Sequence, residues 1–246
     1  MGSNMLSLIM GAKYVQSRLI LENYYREMYT EVLYKKSFLN SGISFFHKQV
    51  EKYWKDKNLF ETQLEVGIGN GEHFKFVENF PTKKYYGIDL ILPNINLLQG
   101  NVYKSMVNNF QFIQGDSQKL PFEDEYFDRV VTTCVLHHVD SPILALEEIR
   151  RVVKKSGEIS ILLSTDPGLL NNLSRFLVTN RIIKWHTSLS PKLIYALDHK
   201  NHTSSLIEMI KFVFDSDELE FHYAPFSFLH SWNFNLSIVA KVCVVK

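Results

Sequence analysis

The segment at 64–71, LEVGIGNG, places a carboxylate two positions before a Gly-x-Gly-x-Gly turn. Glycine can adopt positive φ and has no Cβ, so a ligand can lie against the bare backbone of Gly67, Gly69 and Gly71. A short apolar run precedes the turn and a helical pattern follows it, which is the order of a strand that leads into a helix. The segment therefore predicts a nucleoside-binding turn with the Glu65 carboxylate beside it.

The register of the glycines distinguishes this turn from the dinucleotide-binding fingerprint. In that fingerprint, Gly-x-Gly-x-x-Gly, the third glycine falls where this chain has Glu72. Apolar residues at 74, 76, 77 and 80 predict an amphipathic helix over 71–80. An ordinary tight turn between a strand and a helix is the alternative interpretation, and an NAD-dependent oxidoreductase is a weaker one.

Size and charge exclude several classes of protein. A chain of 246 residues can bury one substantial core, and one domain with elaborations is the expectation. Its 27 lysines and arginines almost cancel its 26 acidic residues, so no basic face for nucleic acid is predicted. No apolar run approaches the roughly 20 residues of a membrane span, and the first residues carry no positive charge before a short apolar patch. We therefore expect a cytoplasmic protein without an integral membrane segment or a signal peptide.

The two cysteines, Cys134 and Cys243, each lie in an apolar, strand-like run. Their separation fits neither a metal-ligand set nor a disulfide pattern, and a free cysteine in such a run behaves as a small hydrophobic residue. The polar cluster DHKNH at 198–202 also lacks a clean ligand spacing. We therefore expect no metal site.

Short β-rich runs alternate with helical patterns between residues 62 and 164, which is typical of βαβ units around a mainly parallel sheet. The predicted strands cover 62–67, 84–88, 110–114, 127–133 and 157–163. The predicted helices cover 71–80, 93–107 and 141–154. Pro142 fits the first turn of the last of these helices, and Gly157, which follows two lysines and a serine, fits its C-terminal stop.

Helical patterns flank this unit on both sides. Residues 1–60 carry tyrosines and aliphatic residues that are mostly three and four positions apart, and a second such stretch covers 169–185. Both stripes fit core-facing helices, and a lid over the strand ends is the second interpretation. Two further strands are predicted at 218–223 and 236–245.

Acidic residues follow three of the predicted strands. Asp89 ends the second strand, where a carboxylate can accept both ribose hydroxyls of an adenosine. Asp116 and Ser117 follow the third strand and can face the adenine edge. Each acid has a local alternative, because Asp89 also suits a helix N-cap and Asp116 an Asx turn. Together with Glu65 they lie at the carboxyl ends of strands and so define one crevice, which we predict to bind an adenosine.

The stretch from about 62 to 164 resembles the core of class I S-adenosylmethionine (SAM)-dependent methyltransferases, in particular the group related to ubiquinone-biosynthesis C-methyltransferases and small-molecule methyltransferases. The segments that carry the resemblance are LEVGIGNG (64–71), YYGID (85–89), FIQGDSQKLPFEDEYFDRVV (112–131), VLHHVDSP (135–142) and EEIRRVVKKSGEISI (147–161). It implies an α/β, three-layer Rossmann-like sandwich. Its mainly parallel, seven-stranded sheet would have an antiparallel last strand, a helical N-terminal lid and a helical insertion after strand 5.

The resemblance also implies SAM as the cofactor and assigns roles to single positions. The acid before the turn and the three glycines would hold the methionine half, and the acid after the second strand would bind the ribose. The next residue would lie against the adenine, the residues after the third strand would bind the adenine edge, and a carbonyl after the fourth strand would face the cofactor's amino group. The positions concerned are Glu65, Gly67, Gly69, Gly71, Asp89, Leu90, Asp116, Ser117, Thr133 and Cys134.

By the same resemblance the chain divides into three parts. Residues 1–60 would form the N-terminal lid, 61–164 the SAM-binding core, and 165–246 the acceptor-side helices and the last two strands of the same domain. The expected partner is a small-molecule acceptor, and the sequence specifies no oligomeric state.

Two histidines are the predicted catalytic residues. His137 leaves the fourth strand beside the expected sulfonium, and His199 belongs to the cluster at 198–202; imidazole suits proton removal near neutral pH. The alternative for His137 is packing or orientation of its loop.

The acceptor is predicted to be a hydroxyl oxygen of a metabolite or carbohydrate, because the tail from about 165 resembles methyltransferases of bacterial surface-polysaccharide biosynthesis. A lipophilic, quinone-like carbon acceptor and a non-catalytic SAM-binding scaffold remain as alternatives.

Overall fold

The computed structural model describes residues 15–16, 19–22, 24, 37–52, 60–76, 84–91, 110–186 and 190–245. The strands are β1 (Thr62–Val66), β2 (Lys84–Asp89), β3 (Phe110–Gln114), β4 (Phe127–Thr133), β5 (Val153–Ser164), β6 (Glu218–Ala224) and β7 (Ser237–Cys243). The α-helices are α1 (Ser37–Lys52), α2 (Pro142–Val152), α3 (Leu169–Ser174), α4 (Asn180–His186), α5 (Pro191–Asp198) and α6 (Thr203–Val213). Short 3₁₀ helices cover Glu72–Phe76 and Trp232–Phe234, and Arg175–Thr179 is π-helical.

The strands form a seven-stranded sheet in the order β3-β2-β1-β4-β5-β7-β6. Neighbours from β3 to β5 are parallel, whereas β7 runs antiparallel to both β5 and β6. Parallel neighbours require crossover connections, and the alternating pattern of the sequence supplies them. The predicted Rossmann-like α/β fold, with its antiparallel last strand and its helices after β5, is confirmed.

The central strands are buried along almost their whole length. Leu64, Val130 and Ile161 are each fully buried in β1, β4 and β5, as expected for parallel strands that are covered on both faces. On α2 the buried residues are Pro142, Ala145, Leu146, Ile149 and Val152, which follow the spacing of one helical face. This core fixes the strand ends at which the predicted site lies.

Two predicted helices differ in the structure. The helix expected over 71–80 is a 3₁₀ helix at Glu72–Phe76, and 77–80 lie outside the described residues, as does the helix expected over 93–107. The helix expected over 141–154 ends at Val152.

The prediction that Gly157 stops this helix is wrong, because Gly157 lies within β5. The pairing of β4 with β5 shifts register here, and Ser156 takes a positive φ of 61°. Lys154 extends away from the helix end and donates to Asp128 of β4 at 2.8 Å. Residues 153–157, whose local pattern suits the end of a helix, therefore belong to β5 because they pair with the sheet.

The chain divides into two compact units. The larger unit comprises Ser44–Asn172 and Asn201–Lys246 and contains the whole sheet. The smaller unit comprises Met1–Ile43 and Leu173–Lys200. Within its described part, the guanidinium carbon of Arg175 lies 4.0 Å from the ring centroid of Tyr195. In the described part of the chain, no helix combines the length and the apolar character that a membrane span needs.

Candidate cofactor site

The predicted site lies where the strand order reverses. β1 and β4 are neighbours, with β2 and β3 on one side and β5 on the other, so the connections that leave β1 and β4 diverge. Val66 of β1 is in register with Ile88 of β2 and with Thr132 of β4. The carboxyl ends of these strands therefore meet at one edge and open a crevice, which is where open α/β sheets bind ligands.

The glycine turn adopts the backbone that its sequence predicts. Gly67, Gly69 and Gly71 have φ angles of 74°, 51° and 75°. A Cβ on Gly67 would overlap the side chain of Val135, so this glycine lets the turn pack against the loop after β4. A Cβ on Gly69 would meet nothing within 4 Å, so the backbone there faces open space. The turn thus offers an uncovered backbone surface to a ligand.

Glu65 lies at the base of the crevice and is only 1% exposed. The hydroxyl of Tyr85 donates a hydrogen bond to its Oε2 at 2.8 Å. Burial raises the pKa of Glu65 to about 7, and the nearby His73 opposes this rise. A buried acid that is held at the balance between its neutral and ionised forms fits a ligand with positive charge.

Asp89 braces the turn from the neighbouring strand. Its Oδ2 accepts a hydrogen bond from the backbone N–H of Gly69 at 2.8 Å, and its Oδ1 accepts one from Ile91 at 3.1 Å. Each carboxylate oxygen can accept a second hydrogen bond, so the predicted ribose contact is compatible with both. The next residue, Leu90, is 61% exposed and offers an apolar surface.

Asp116 is exposed and forms the Asx turn that was its alternative interpretation. Its Oδ1 accepts a hydrogen bond from the backbone N–H of Gln118 at 2.9 Å. Ser117 between them is half-buried. The backbone N–H of Gly115 donates to the carbonyl of Asp89 at 2.9 Å, which brings the loops after β2 and β3 together.

Arg151 of α2 anchors the rest of this loop. It donates to the carboxylates of Glu148 and Asp124 at 2.7 Å each, and to the carbonyls of Phe122 and Leu120 at 2.8 and 3.0 Å. The hydrogen bonds from Arg151, and then that from the backbone of Leu120, hold the pKa of Glu148 below its usual range in spite of partial burial. The loop that carries Asp116 is therefore fixed to the helix behind it.

The fourth strand leaves the sheet through Thr133 and Cys134. Cys134 takes a positive φ of 60°, and its backbone N–H donates to the carbonyl of Leu162 at 2.9 Å. Burial raises the pKa of its thiol to about 11. The thiol is therefore protonated near neutral pH and does not suit covalent catalysis.

His137 is fully buried, and both of its ring nitrogens have partners. Its Nδ1 lies 2.8 Å from the carbonyl oxygen of Asn201, and its Nε2 lies 3.2 Å from Oγ of Ser164. Because a carbonyl only accepts, Nδ1 carries the proton and Nε2 accepts from the serine. This geometry favours the orienting role that was the alternative for His137.

His199 belongs to the smaller unit. Its Nδ1 lies 3.4 Å from a guanidinium nitrogen of Arg175, and its Nε2 lies 3.7 Å from the carboxylate of Asp198. Its role as a base stays a prediction.

Sequence reasoning missed several residues that organise the site. Asn201 donates to the carbonyls of Leu136 and Val139 at 2.9 and 2.7 Å. Thr203 donates to the carbonyl of Ser164 at 2.7 Å. These contacts tie the loops after β4 and β5 to the start of α6. Their signal in the sequence is weak, because polar residues before a helix also serve as ordinary turn and cap residues.

A shallow recess of about 620 Å³ lies elsewhere, between α2 and α6. Its lining comprises Ile143, Ser204, Ser205, Glu208, Met209 and Phe212. Because it faces outward from two helices and not from the strand ends, we do not assign the cofactor to it.

The sheet order, the open glycine turn and the acids at the ends of β1, β2 and β3 agree with the features that the resemblance to class I SAM-dependent methyltransferases predicted. Residues 64–161 match the family model of the methyltransferase domain, which agrees with this assignment. Residues 64–161, about two fifths of the chain, are thus similar to this methyltransferase domain.

Among curated proteins, the chain is similar to enzymes named for quinone biosynthesis. It is 28% identical over 157 residues to the ubiquinone/menaquinone biosynthesis C-methyltransferase of Coxiella burnetii, a match that covers 58% of this chain and 60% of that protein. It is 31% identical over 138 residues to the demethylmenaquinone methyltransferase of Staphylococcus aureus, with 53% and 56% covered. The matched region thus spans less than two thirds of the length of these relatives.

Solved structures share the fold. The N-methyltransferase NodS from Bradyrhizobium japonicum, in complex with S-adenosyl-L-homocysteine, aligns with a TM-score of 0.59. The alignment covers 94% of this chain and 99% of that protein at 13% identity. At this identity the likeness concerns the fold alone.

Proposed function

We propose that the protein transfers the methyl group of SAM to a small-molecule acceptor. The observation that carries the proposal is the pairing of a buried acid, Glu65, with an open glycine turn that Asp89 braces. Both lie at the switch point of the sheet, within the segment that matches the methyltransferase domain. A tight turn without a ligand would need neither the buried carboxylate nor the uncovered backbone.

The residues of the crevice fit the parts of this cofactor. Glu65 would face the positively charged methionine end, and Asp89 would accept the ribose hydroxyls while it keeps its bond to Gly69. Leu90 would lie against the adenine ring, and Asp116 with Ser117 would bind its edge. The carbonyl of Thr133 or Cys134 would complete the site at the exit of β4.

The sulfonium supplies an electrophilic methyl group, so the task of the chain is mainly alignment. Holding two reactants in near-attack geometry contributes about 7–11 kcal/mol to such a reaction. The hydrogen bonds of His137 to Asn201 and Ser164 keep the loops after β4 and β5 in one arrangement. We therefore assign His137 to loop orientation and keep His199 as the candidate base.

For the acceptor, we propose a hydroxyl oxygen of a metabolite or a carbohydrate precursor. The proposal is supported by the tail of the chain, which resembles methyltransferases of surface-polysaccharide biosynthesis, and by the polar cluster at 198–202. Deprotonation of a hydroxyl by a positioned imidazole accelerates such a step by about 10²–10⁴-fold.

A lipophilic, quinone-like carbon acceptor is the second candidate. The names of the curated relatives favour it, and so does the loop between β6 and β7. In this loop the side chains of Phe226 and Phe228 are 43% and 83% exposed. The backbone N–H of Phe226 donates a hydrogen bond to Oδ1 of Asn235 at 2.8 Å, which fixes the loop. Because Ala224 pairs with Ser237, and Ser237 with Ser164, the loop lies at the carboxyl edge of the parallel strands.

Calorimetric titration with SAM, S-adenosyl-L-homocysteine and NAD tests the cofactor. We expect the protein to bind the first two and not NAD. The variant Glu123→Ala, which changes an exposed acid outside the site, should have the same affinities as the wild type and serves as the control. Binding of NAD, or of none of the three, would reject the proposal.

Mass spectrometry of acceptor mixtures then tests the transfer. Sugar nucleotides and polyprenyl quinols are supplied in parallel with SAM. A methyl ether on a sugar supports the first acceptor, whereas methylation of a quinol ring carbon selects the second. A protein that binds SAM but methylates neither class would argue against both.

A further inference from the structure

A polar cluster that is mostly buried includes a histidine directly after the glycine turn. His73, in the 3₁₀ helix directly after the turn, is 1% exposed. Its Nε2 lies 3.0 Å from Oε1 of Glu51, and its Nδ1 lies 3.2 Å from Nδ1 of His47. Because His47 and Glu51 are four positions apart on α1, both project from one face of that helix. The turn is thus attached to α1 by polar contacts that are largely, though not fully, removed from water.

Glu51 is the anion of this cluster. Arg129 of β4, itself 2% exposed, donates two hydrogen bonds to its carboxylate, at 2.8 and 3.2 Å. Burial opposes ionisation of Glu51, but Arg129 and His73 outweigh it and lower its pKa to about 2. An ionised carboxylate only accepts hydrogen bonds, so Nε2 of His73 must carry a proton and donate.

The second nitrogen of His73, Nδ1, pairs with Nδ1 of His47, so one of these two nitrogens carries the hydrogen and the other accepts it. The ring of His47 is stacked on Phe76 with a centroid distance of 5.5 Å and an interplanar angle of 5°, which fixes its orientation. Both ring nitrogens of His73 are therefore used, one toward Glu51 and the other toward His47.

His73 also faces the acid of the cofactor site. The groups that act on Glu65 come from several elements: His73 after the turn, Tyr85 and Asp89 of β2, and Glu51 of α1. Of these, the two carboxylates favour the neutral form of Glu65, while His73 and the hydroxyl of Tyr85 favour the ionised form. His73 is the member of this set that can bring a positive charge.

We propose that His73 is a positioning residue of the cofactor site, which holds the glycine turn against α1 through Glu51 and sets the electrostatic environment of Glu65. The inference rests on the proposed function, in which Glu65 faces the positively charged end of SAM. The wild-type protein should bind SAM more tightly as the pH rises and Glu65 loses its proton. His73 opposes the rise in the pKa of Glu65 and so moves this change to lower pH, which extends the range in which binding is tight.

The test is calorimetric titration with SAM between pH 6 and 8.5 on the full chain. His73→Gln retains a donor for Glu51 and an acceptor for His47 but carries no charge. His73→Phe removes both contacts, and His230→Gln, an exposed histidine, is the matched control. The thermal unfolding midpoint of each variant is measured alongside to verify that it folds.

We expect His73→Gln to bind like the wild type at pH 8.5, within about 3-fold, but to need a higher pH for half-maximal affinity. His73→Phe should bind about 10- to 100-fold more weakly throughout, as for the loss of a hydrogen bond to a charged group. The inference is overturned if His73→Gln follows the wild-type pH profile, since a merely structural role requires only its hydrogen bonds. If the wild-type protein binds no SAM at any pH, the cofactor assignment itself fails, which is a distinguishable outcome.

Discussion

The backbone N–H of Gly69 donates to the carboxylate of Asp89 at 2.8 Å, so the second strand holds the turn that follows the first. The two residues are 20 positions apart in the chain. One carboxylate thereby both shapes the turn and stands where a ribose would bind. The consequences for affinity and for stability can be separated by mutation.

Replacing Asp89 tests this double role. Asp89→Ala removes the partner of Gly69 and the acceptor for the ribose hydroxyls, and we expect SAM affinity to fall by about 10- to 100-fold. Asp89→Asn keeps an acceptor for Gly69, so it should retain the unfolding midpoint of the wild type while binding SAM more weakly. Calorimetry and thermal unfolding provide the two readouts. Equal affinity of all three proteins would contradict the assignment.

Glu65→Gln should stabilise the cofactor-free protein and weaken its binding of SAM. Burial raises the pKa of Glu65 from 4.5 to about 7, so this shift leaves the stability of the cofactor-free protein unchanged below pH 4.5 and lowers it by the full amount above pH 7. The difference corresponds to about 3 kcal/mol at high pH. Urea unfolding at pH 5 and pH 8.5 should therefore show a gain for the variant that grows with pH.

The same Glu65→Gln variant should lose most of its affinity for SAM, because the neutral amide offers no charge to the cofactor. Glu208→Gln, at an exposed position, controls for the change in net charge. If the difference in unfolding free energy between Glu65→Gln and the wild type did not change with pH, the raised pKa of Glu65 would be rejected.

The glycines of the turn should differ in what a methyl group costs. Gly67→Ala combines a positive φ with overlap against Val135, so we expect it to destabilise the protein by about 2–4 kcal/mol. Gly69→Ala has space for its methyl group and should cost only about 1–2 kcal/mol of backbone strain. It should nevertheless weaken SAM binding strongly, because the methyl group occupies the open side of the turn. Denaturant unfolding and calorimetry distinguish the two positions.

His137 should act through structure. His137→Ala leaves the hydroxyl of Ser164 and the carbonyl of Asn201 without this partner, and we expect a loss of about 2 kcal/mol in the free energy of unfolding. Asn201→Ala should couple to it in a double-mutant cycle, since both tie the loop after β4. A His137→Ala variant that unfolds like the wild type but turns over far more slowly would restore the catalytic assignment.

Local patterns were sufficient to predict the framework. The β-rich runs at 62–67, 84–88, 110–114 and 127–133 agree with β1 to β4 within a residue. Apolar strands of this kind are typical of a parallel sheet that is covered by helices on both faces, so they predicted the α/β fold class. The positions of the acids at the strand ends could also be predicted, because neighbouring residues determine both the turn and the end of the strand before it.

The errors fell where distant residues decide the conformation. The turn after β1 continues as a 3₁₀ helix in the region where His73 bonds to Glu51, 22 positions earlier, and the end of α2 gives way to β5 where Lys154 bonds to Asp128. An amphipathic pattern contains no information about such partners.

By itself, then, the sequence determined the order of strands and helices, the backbone of the glycine turn and the acids beside it, because each depends on neighbouring residues. Only the tertiary structure decided that His137 is enclosed by Asn201 and Ser164, and that Glu51 lies between His73 and Arg129. These contacts join residues between 22 and 78 positions apart. They form because sheet register and burial bring polar groups together where access of water is restricted, so that each requires a partner.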